Sequence, residues 1–242
     1  MAAGRGRRLG AVSETTPKWL LEVGTGTIAD RHLEAVGTSS ALVVTGHARA
    51  TIERFLEMRN HPATVVHNPE YARLNNWYSL LVGLRALELR EDDRVVVLNA
   101  DLFAEPDWIA AFLEDSAMTT AQSLIAVDVE RALTDESMKV SIRPGATGGM
   151  DLLDGIGKLG VADPVGEYVG MLMARGETLA ALRRTLEGFL DRPDAADEWY
   201  ERAVGLSARE GVPWHVWPTP SSDWVEIDDD GDYESARELC AS

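Results

Sequence analysis

The 242-residue chain is long enough for one large domain or two small ones, and its 45% apolar and 26% charged residues fit an ordinary folded protein. Its net charge of −17 argues against a nucleic-acid partner, because phosphate backbones are gripped by clustered Lys and Arg. No apolar run reaches the ~18 residues of a membrane span, none follows the N-terminal arginines as in a secretory signal, and the single cysteine, Cys240, has no partner for an internal disulfide; the expectation is a cytoplasmic protein without membrane association.

The chain begins MAAGRGRRLG, where Arg5, Arg7, Arg8 and Lys18 are opposed only by Glu14, a basic start to an acidic sequence. Strand-like and helix-like segments then alternate. ALVVTG (41–46), TVVHN (64–68), RVVVLNAD (94–101) and SLIAVDV (123–129) read as strands, and 51–59, 75–89 and 106–115 as helices. Strands that are apolar throughout and separated by helices predict an α/β fold with a mostly parallel sheet covered on both faces. The stretch 139–160 has the short runs and glycines of a hairpin, 167–174 reads as a strand, and 176–190, 197–210 and 231–239 read as helices. WHVWP and DWVEID are short strands near the end, and no linker divides the chain. One domain over 1–242 is expected.

Four short stretches carry candidate chemistry. In AAGRGRRL the backbone at Ala2, Ala3, Gly4 and Gly6 could approach phosphate oxygens closely, while Arg5 and Arg8 add charge-assisted bonds. Lys18 follows Pro17 as a further point charge. Asp101 ends the RVVVLNAD strand, and Glu226 and Asp228, spaced i and i+2, leave one face of a strand. Carboxylates from two separate strands suit Mg²⁺ bridging to substrate phosphates. Singly, each of these patterns is also what a basic tail or a solvated acidic turn looks like.

Taken in order, AAGRGRRL, TPKWLLEV, LNAD and VEIDDDGDYESA resemble the motifs of the sugar-nucleotide pyrophosphorylase superfamily of nucleotidyltransferases, from Ala2 to about Ala236. HNPEYARLNNWYSL (67–80) is most similar to bacterial phosphocholine cytidylyltransferases, through Asn75, Asn76, Tyr78, Ser79 and Leu80. The resemblance implies a Rossmann-like sheet of the nucleotide-diphospho-sugar transferase type, with an inserted antiparallel acceptor-binding portion, 1–130 being mainly the nucleotide-binding half and 131–230 mainly the acceptor-binding half. It implies transfer of CMP from CTP to a small phosphorylated or phosphonate acceptor such as phosphocholine, with release of pyrophosphate. Lys18, Arg8 and Asp101 would be catalytic, and Asp101, Glu226 and Asp228 would hold Mg²⁺. Ala2, Ala3, Gly4, Arg5, Gly6, Asn76 and Ser79 would bind the nucleotide, and Lys158, Glu167 and Tyr168 the acceptor. A homodimer is compatible with it, although the sequence marks no interface. A sugar-1-phosphate nucleotidyltransferase using UTP, dTTP or GTP is the alternative, and a non-catalytic nucleotide-binding relative is one of another class. A glycosyltransferase fits less well, because LNADLF has a single Asp where such enzymes more often have two.

Two departures from the family pattern stand out. Gly10 occupies a position where the family commonly has an arginine, and no apolar strand precedes the glycine-rich loop. The second departure leads to the expectation that Met1 is a misassigned start or an artificial boundary. A further expectation concerns the aromatic residues Trp199, Trp214, Trp217, Trp224, Tyr168 and Tyr200. Core packing explains most of them, and a cage for a choline-like cation is the competing role.

Overall fold

The computed structural model describes residues 1–4, 16–37, 40–90, 92–118, 122–146, 149–220 and 223–241. In chain order the first elements are a 3-10 turn (Lys18–Leu20), β1 (Glu22–Val23), β2 (Gly26–Thr27), α1 (Ile28–Val36), β3 (Leu42–Thr45), α2 (Arg49–Met58), β4 (Thr64–His67) and α3 (Asn76–Ala86). There follow β5 (Arg94–Leu98), β6 (Leu102–Ala104), α4 (Pro106–Met118), β7 (Ser123–Asp128), β8 (Lys139–Arg143), β9 (Leu152–Gly157) and β10 (Gly166–Arg175). The last are α5 (Gly176–Gly188), α6 (Tyr200–Arg209), β11 (Trp214–Thr219), β12 (Trp224–Glu226) and α7 (Asp230–Ala241). The chain forms two compact units interleaved in sequence: Met1–Leu87, Asn99–Ala111 and Asp223–Ser242 make the first, Glu88–Leu98 and Phe112–Ser222 the second.

In the first unit β3 and β4 run parallel, with Val43 opposite Val65, and Ala2 adds a parallel bridge to Thr45. The Ala2 N–H donates to the Val44 carbonyl at 2.8 Å, and the His47 N–H to the Ala3 carbonyl at 3.3 Å. Gly46 makes this approach possible, because a Cβ there would lie 2.7 Å from the Ala3 oxygen. α1 starts in a capping box: Thr27 Oγ1 accepts from the Asp30 N–H at 3.0 Å, and Asp30 Oδ2 accepts from the Thr27 N–H at 2.9 Å. Its apolar face carries Ile28, Ala29 and Leu33 into a core shared with Trp19, Leu21, Phe55, Phe103 and Ile227. The short strands β6 and β12 pair antiparallel, with Trp224 opposite Ala104 and Glu226 opposite Leu102.

The second unit is built on a six-stranded sheet in the order β5-β10-β7-β11-β9-β8. β8 also pairs with the start of β10, so five of the strands are joined in a ring of ladders. β10 is buried along almost its whole length and runs antiparallel to both β5 and β7. Its register slips between Tyr168 and Leu172, where Gly170 adopts φ +84°, a conformation glycine takes without steric cost.

The α/β class holds, but the described sheets are mixed and not mostly parallel. Among the described strand pairs, β3–β4 and β7–β11 are the parallel ladders. The apolar stretches VVVL of β5 and MLMA of β10 are partners in an antiparallel pair. Continuous apolarity reports burial on both faces, which either strand direction can provide. The hairpin expected in 139–160 is present as antiparallel β8 and β9. The helix read over 75–89 ends at Ala86, after which Leu87 is extended. No described helix is long and apolar enough to cross a membrane.

Candidate active site

Asp101, Glu226 and Asp228 come together in the first unit because β6 and β12 pair. The Ile227 N–H donates to the Asp101 carbonyl at 2.9 Å, extending the β6–β12 ladder and fixing Asp101 opposite the Glu226–Asp228 segment. One carboxylate oxygen from each of the three residues lies within 4.8 Å of the others. Asp229 and Asp232, which follow, serve a different end. Asp229 Oδ1 accepts from the Gly231 and Asp232 N–H groups and caps α7, and Asp232 Oδ2 accepts from the Asp228 and Asp229 N–H groups. The acidic run VEIDDD thus divides into two carboxylates aimed at Asp101 and a helix cap that holds them in place.

Lys18 enters this group from the 3-10 turn after Pro17, anchored by the buried Trp19 and Leu20. Its Nζ donates to Asp228 Oδ1 and lies 3.6 Å from Asp101 Oδ2. Burial acts to lower the Lys18 pKa, but the facing carboxylates of Asp101, Asp228 and Glu226 outweigh it and hold the ammonium above its ordinary value. A fixed cation therefore sits among three carboxylates. Oxygen donors from separate strands fit a hard divalent ion such as Mg²⁺.

Of the remaining nucleotide-side candidates, Ala2 and Ala3 lie against the carboxyl end of β3, and Asn76 and Ser79 are on α3. Ala2 and Ala3 are buried beside β3, and Gly4 is exposed. Asn75 caps α3, its Oδ1 accepting from the Asn76 N–H at 2.7 Å. Ser79, on the same helix, is buried and accepts from Asn68 Nδ2 at 2.9 Å, which ties α3 to the end of β4. Arg5, Gly6, Arg8 and Gly10 lie outside the described residues.

The acceptor-side candidates fall in the second unit. Lys158 Nζ pairs with Glu136 Oε2 at 3.0 Å and stands 5.7 Å from the Trp199 ring centroid. Glu167 is buried, and desolvation pushes its pKa up against the opposing pull of a hydrogen bond with Ser137 and the charge of Arg131. Tyr168 is buried, with its hydroxyl 2.9 Å from that of Tyr200. Trp214, Trp224 and Tyr200 are buried as well, and Trp217 stacks edge-on against Phe112. Trp199 keeps 39% exposure and already has Lys158 over its ring, so packing accounts for most of the aromatic set.

One residue beside the site carried no signal in the sequence. His32, in the middle of α1, is fully enclosed and bonded to both the Trp19 indole and the Leu102 carbonyl. Only the Thr27-x-x-Asp30 capping spacing marks the helix that carries it.

A family model described as a MobA-like NTP transferase domain matches residues 1–196. No curated protein sequence matches the chain significantly. Among solved structures, the CTP:phosphocholine cytidylyltransferase from Streptococcus pneumoniae is 19% identical, with a TM-score of 0.76 over 99% of this chain and 96% of that one. The inositol-1-phosphate CTP transferase from T. maritima is 17% identical, with a TM-score of 0.76 over 98% and 93%. A UDP-glucose pyrophosphorylase complexed with UDP-glucose is 16% identical, with a TM-score of 0.76 over 99% and 96%. At these identities the likeness establishes the fold.

Proposed function

Because the chain belongs to the MobA-like NTP transferase domain family and is a nucleotidyltransferase, we propose that it transfers CMP from CTP to a small phosphorylated or phosphonate acceptor, such as phosphocholine, and releases pyrophosphate. The observation that carries this reading is the convergence of Asp101, Glu226 and Asp228 around Lys18. An acceptor oxygen attacks the α-phosphorus of CTP as pyrophosphate departs. The acceptor is already an anion, so no side chain has to remove a proton from it. The main barrier is repulsion between two anions, and the site's task is to cancel that charge and align the reactants.

Asp101, Glu226 and Asp228 would hold Mg²⁺, which when bound supplies charge neutralisation for the α-phosphate and the attacking oxygen. Lys18 stays protonated among the carboxylates, so its ammonium would meet the triphosphate as a fixed positive charge. Ala2, Ala3, Gly4, Arg5, Gly6 and Arg8 would cradle the triphosphate, and the leaving pyrophosphate with it. Asn76 and Ser79 would face the nucleoside. Lys158, Glu167 and Tyr168 are proposed for the acceptor.

Support for CTP comes from the Asn75, Asn76, Tyr78, Ser79 and Leu80 signature and from the two CTP-using enzymes among the similar structures. A second reading, a sugar-1-phosphate nucleotidyltransferase using UTP, draws on the equal TM-score of the UDP-glucose pyrophosphorylase. Pyrophosphate release measured with each of CTP, UTP, dTTP and GTP, against phosphocholine, an aminoalkylphosphonate and a sugar 1-phosphate, separates the two. Release that depends on CTP and a non-sugar acceptor supports the first, and release that requires UTP and a sugar 1-phosphate replaces it with the second.

A further inference from the structure

The three carboxylates and Lys18 reach the site from segments far apart in sequence, and their mutual placement needs something that ties those segments together. Trp19 directly follows Lys18, and Leu102 directly follows Asp101. Between these neighbours lies His32. The Trp19 indole N–H donates to His32 Nδ1 at 3.2 Å, and His32 Nε2 lies 2.8 Å from the Leu102 carbonyl oxygen. The partners dictate the tautomer. An indole can only donate and a carbonyl can only accept, so Nδ1 carries the lone pair and Nε2 the proton. His32 is therefore one neutral bridge with a defined polarity, satisfied at both nitrogens.

We propose that His32 is a positioning residue of the nucleotidyl-transfer site, spanning from the Lys18–Trp19 turn to the Asp101–Leu102 turn and holding the lysine and the carboxylate group in register. The proposal rests on the assignment of Lys18 and Asp101 to that site. His32 touches neither substrate nor metal, and its neutral, enclosed ring is no acid or base for the reaction. It acts through main-chain and indole atoms one residue away from each functional side chain. Both ends of the bridge are rigid: Trp19 is buried against Phe55, ring to ring at 6.3 Å, and Leu102 is inside the β6–β12 ladder. A displacement of either end thus moves Lys18 or Asp101 directly.

A satisfied core histidine that merely packs would give the same static picture, so the test must separate register from stability. Gln at position 32 can still accept from the indole and donate to the carbonyl, whereas Leu fills the volume and makes neither bond. Trp19→Phe removes the indole donor and leaves the Leu102 bond in place. Leu33→Ala, in the same helix and core but outside the bridge, supplies a destabilised control. Mn²⁺ affinity is measured for each purified variant without nucleotide, together with kcat and KM for pyrophosphate release. Metal affinity is expected to weaken about tenfold or more in His32→Leu and to be restored in His32→Gln; in Trp19→Phe, where the Leu102 bond stays and only the competing Lys18 end is freed, it is expected not to weaken. kcat is expected to fall in His32→Leu, less in Trp19→Phe, and to be restored in His32→Gln, with KM for the nucleotide changed little. Leu33→Ala is expected to bind Mn²⁺ like the wild type even where its melting temperature matches that of His32→Leu. The proposal is overturned if His32→Leu binds Mn²⁺ as tightly as Leu33→Ala does, or if His32→Gln loses as much as His32→Leu. Should the wild type release no pyrophosphate from any nucleoside triphosphate, the functional reading fails, while the Mn²⁺ series still decides the bridge. If His32→Leu does not fold, Trp19→Phe against His32→Gln carries the comparison, and a kcat in Trp19→Phe equal to that of His32→Gln then overturns the proposal.

Discussion

Replacing Lys18 with Gln should move two properties of the site in opposite directions. The Lys18 ammonium lies 3.6 Å from Asp101 and is hydrogen-bonded to Asp228. At an effective dielectric of about 20, one such pair at that separation is worth about 4–5 kcal/mol. The Asp101 and Asp228 side chains keep 27% and 37% of their surface exposed, so screening brings the net figure to about 1–2 kcal/mol. That attraction must be given up when a metal ion takes the same oxygens. Lys18→Gln should therefore tighten Mn²⁺ binding to the nucleotide-free protein about tenfold, as followed by the fall in free Mn²⁺ signal in electron paramagnetic resonance. In the same variant pyrophosphate release should fall about 10²–10³-fold, because a charge aimed at the triphosphate is gone. Unchanged or weaker Mn²⁺ binding would refute the reasoning, since it would mean that Lys18 and the metal do not compete for Asp101 and Asp228. Loss of turnover alone would leave that conclusion standing against the account.

Asp101→Asn should lower pyrophosphate release about 10²-fold or more while leaving the melting temperature close to that of the wild type; near-normal release in a folded protein would remove Asp101 from the site. Burial lowers the His32 pKa to about 4, against about 6.5 in an unfolded chain, so the unfolded state takes up a proton in that window that the folded state refuses. The sign follows: this contribution to stability is complete above about pH 6.5 and is lost as the pH falls towards 4, by about 3 kcal/mol in all. Urea midpoints at pH 7 and pH 5 check it, and His32→Gln should flatten the difference. Gly46→Ala puts a Cβ 2.7 Å from the Ala3 carbonyl oxygen and 2.5 Å from Tyr71 Cβ, so it should lower the melting temperature and, through the displaced N-terminal segment, raise KM for the nucleotide; an unchanged KM would contradict this. Thr27→Ala removes the α1 cap and should cost about 1 kcal/mol in a chemical melt, with kcat unchanged.

Much of the candidate site is legible in the sequence. Asp101 stands out because a continuous apolar run leads to it, and Glu226 and Asp228 because their i, i+2 spacing reads as one face of a strand, although β12 itself ends at Glu226. Lys18 is marked by the proline before it. Their convergence depends on β6–β12, and β6, at three residues, is too short for a period-2 pattern to show. The direction of β10 was hidden for a different reason. A strand buried on both faces has no alternation, and the ladder that sets its direction is made by backbone atoms common to every sequence. His32 was invisible because one histidine in an amphipathic helix has the same sequence appearance whether it faces solvent, fills a core or bridges two turns. Only its two partners, Trp19 and Leu102, give it a role, and they lie 13 and 70 residues away.

The central claim, that Asp101, Glu226, Asp228 and Lys18 form a nucleotidyl-transfer site that uses CTP, is tested most directly by the product. Phosphorus-31 spectra of the protein incubated with CTP, Mg²⁺ and phosphocholine should show inorganic pyrophosphate and a CDP-linked diester appearing together in equal amounts, with neither formed by Asp101→Asn. Appearance of a sugar nucleotide from UTP and a sugar 1-phosphate, with CTP left intact, would contradict the choice of donor. No diester from any nucleotide and acceptor in the panel would contradict the assignment of the site itself.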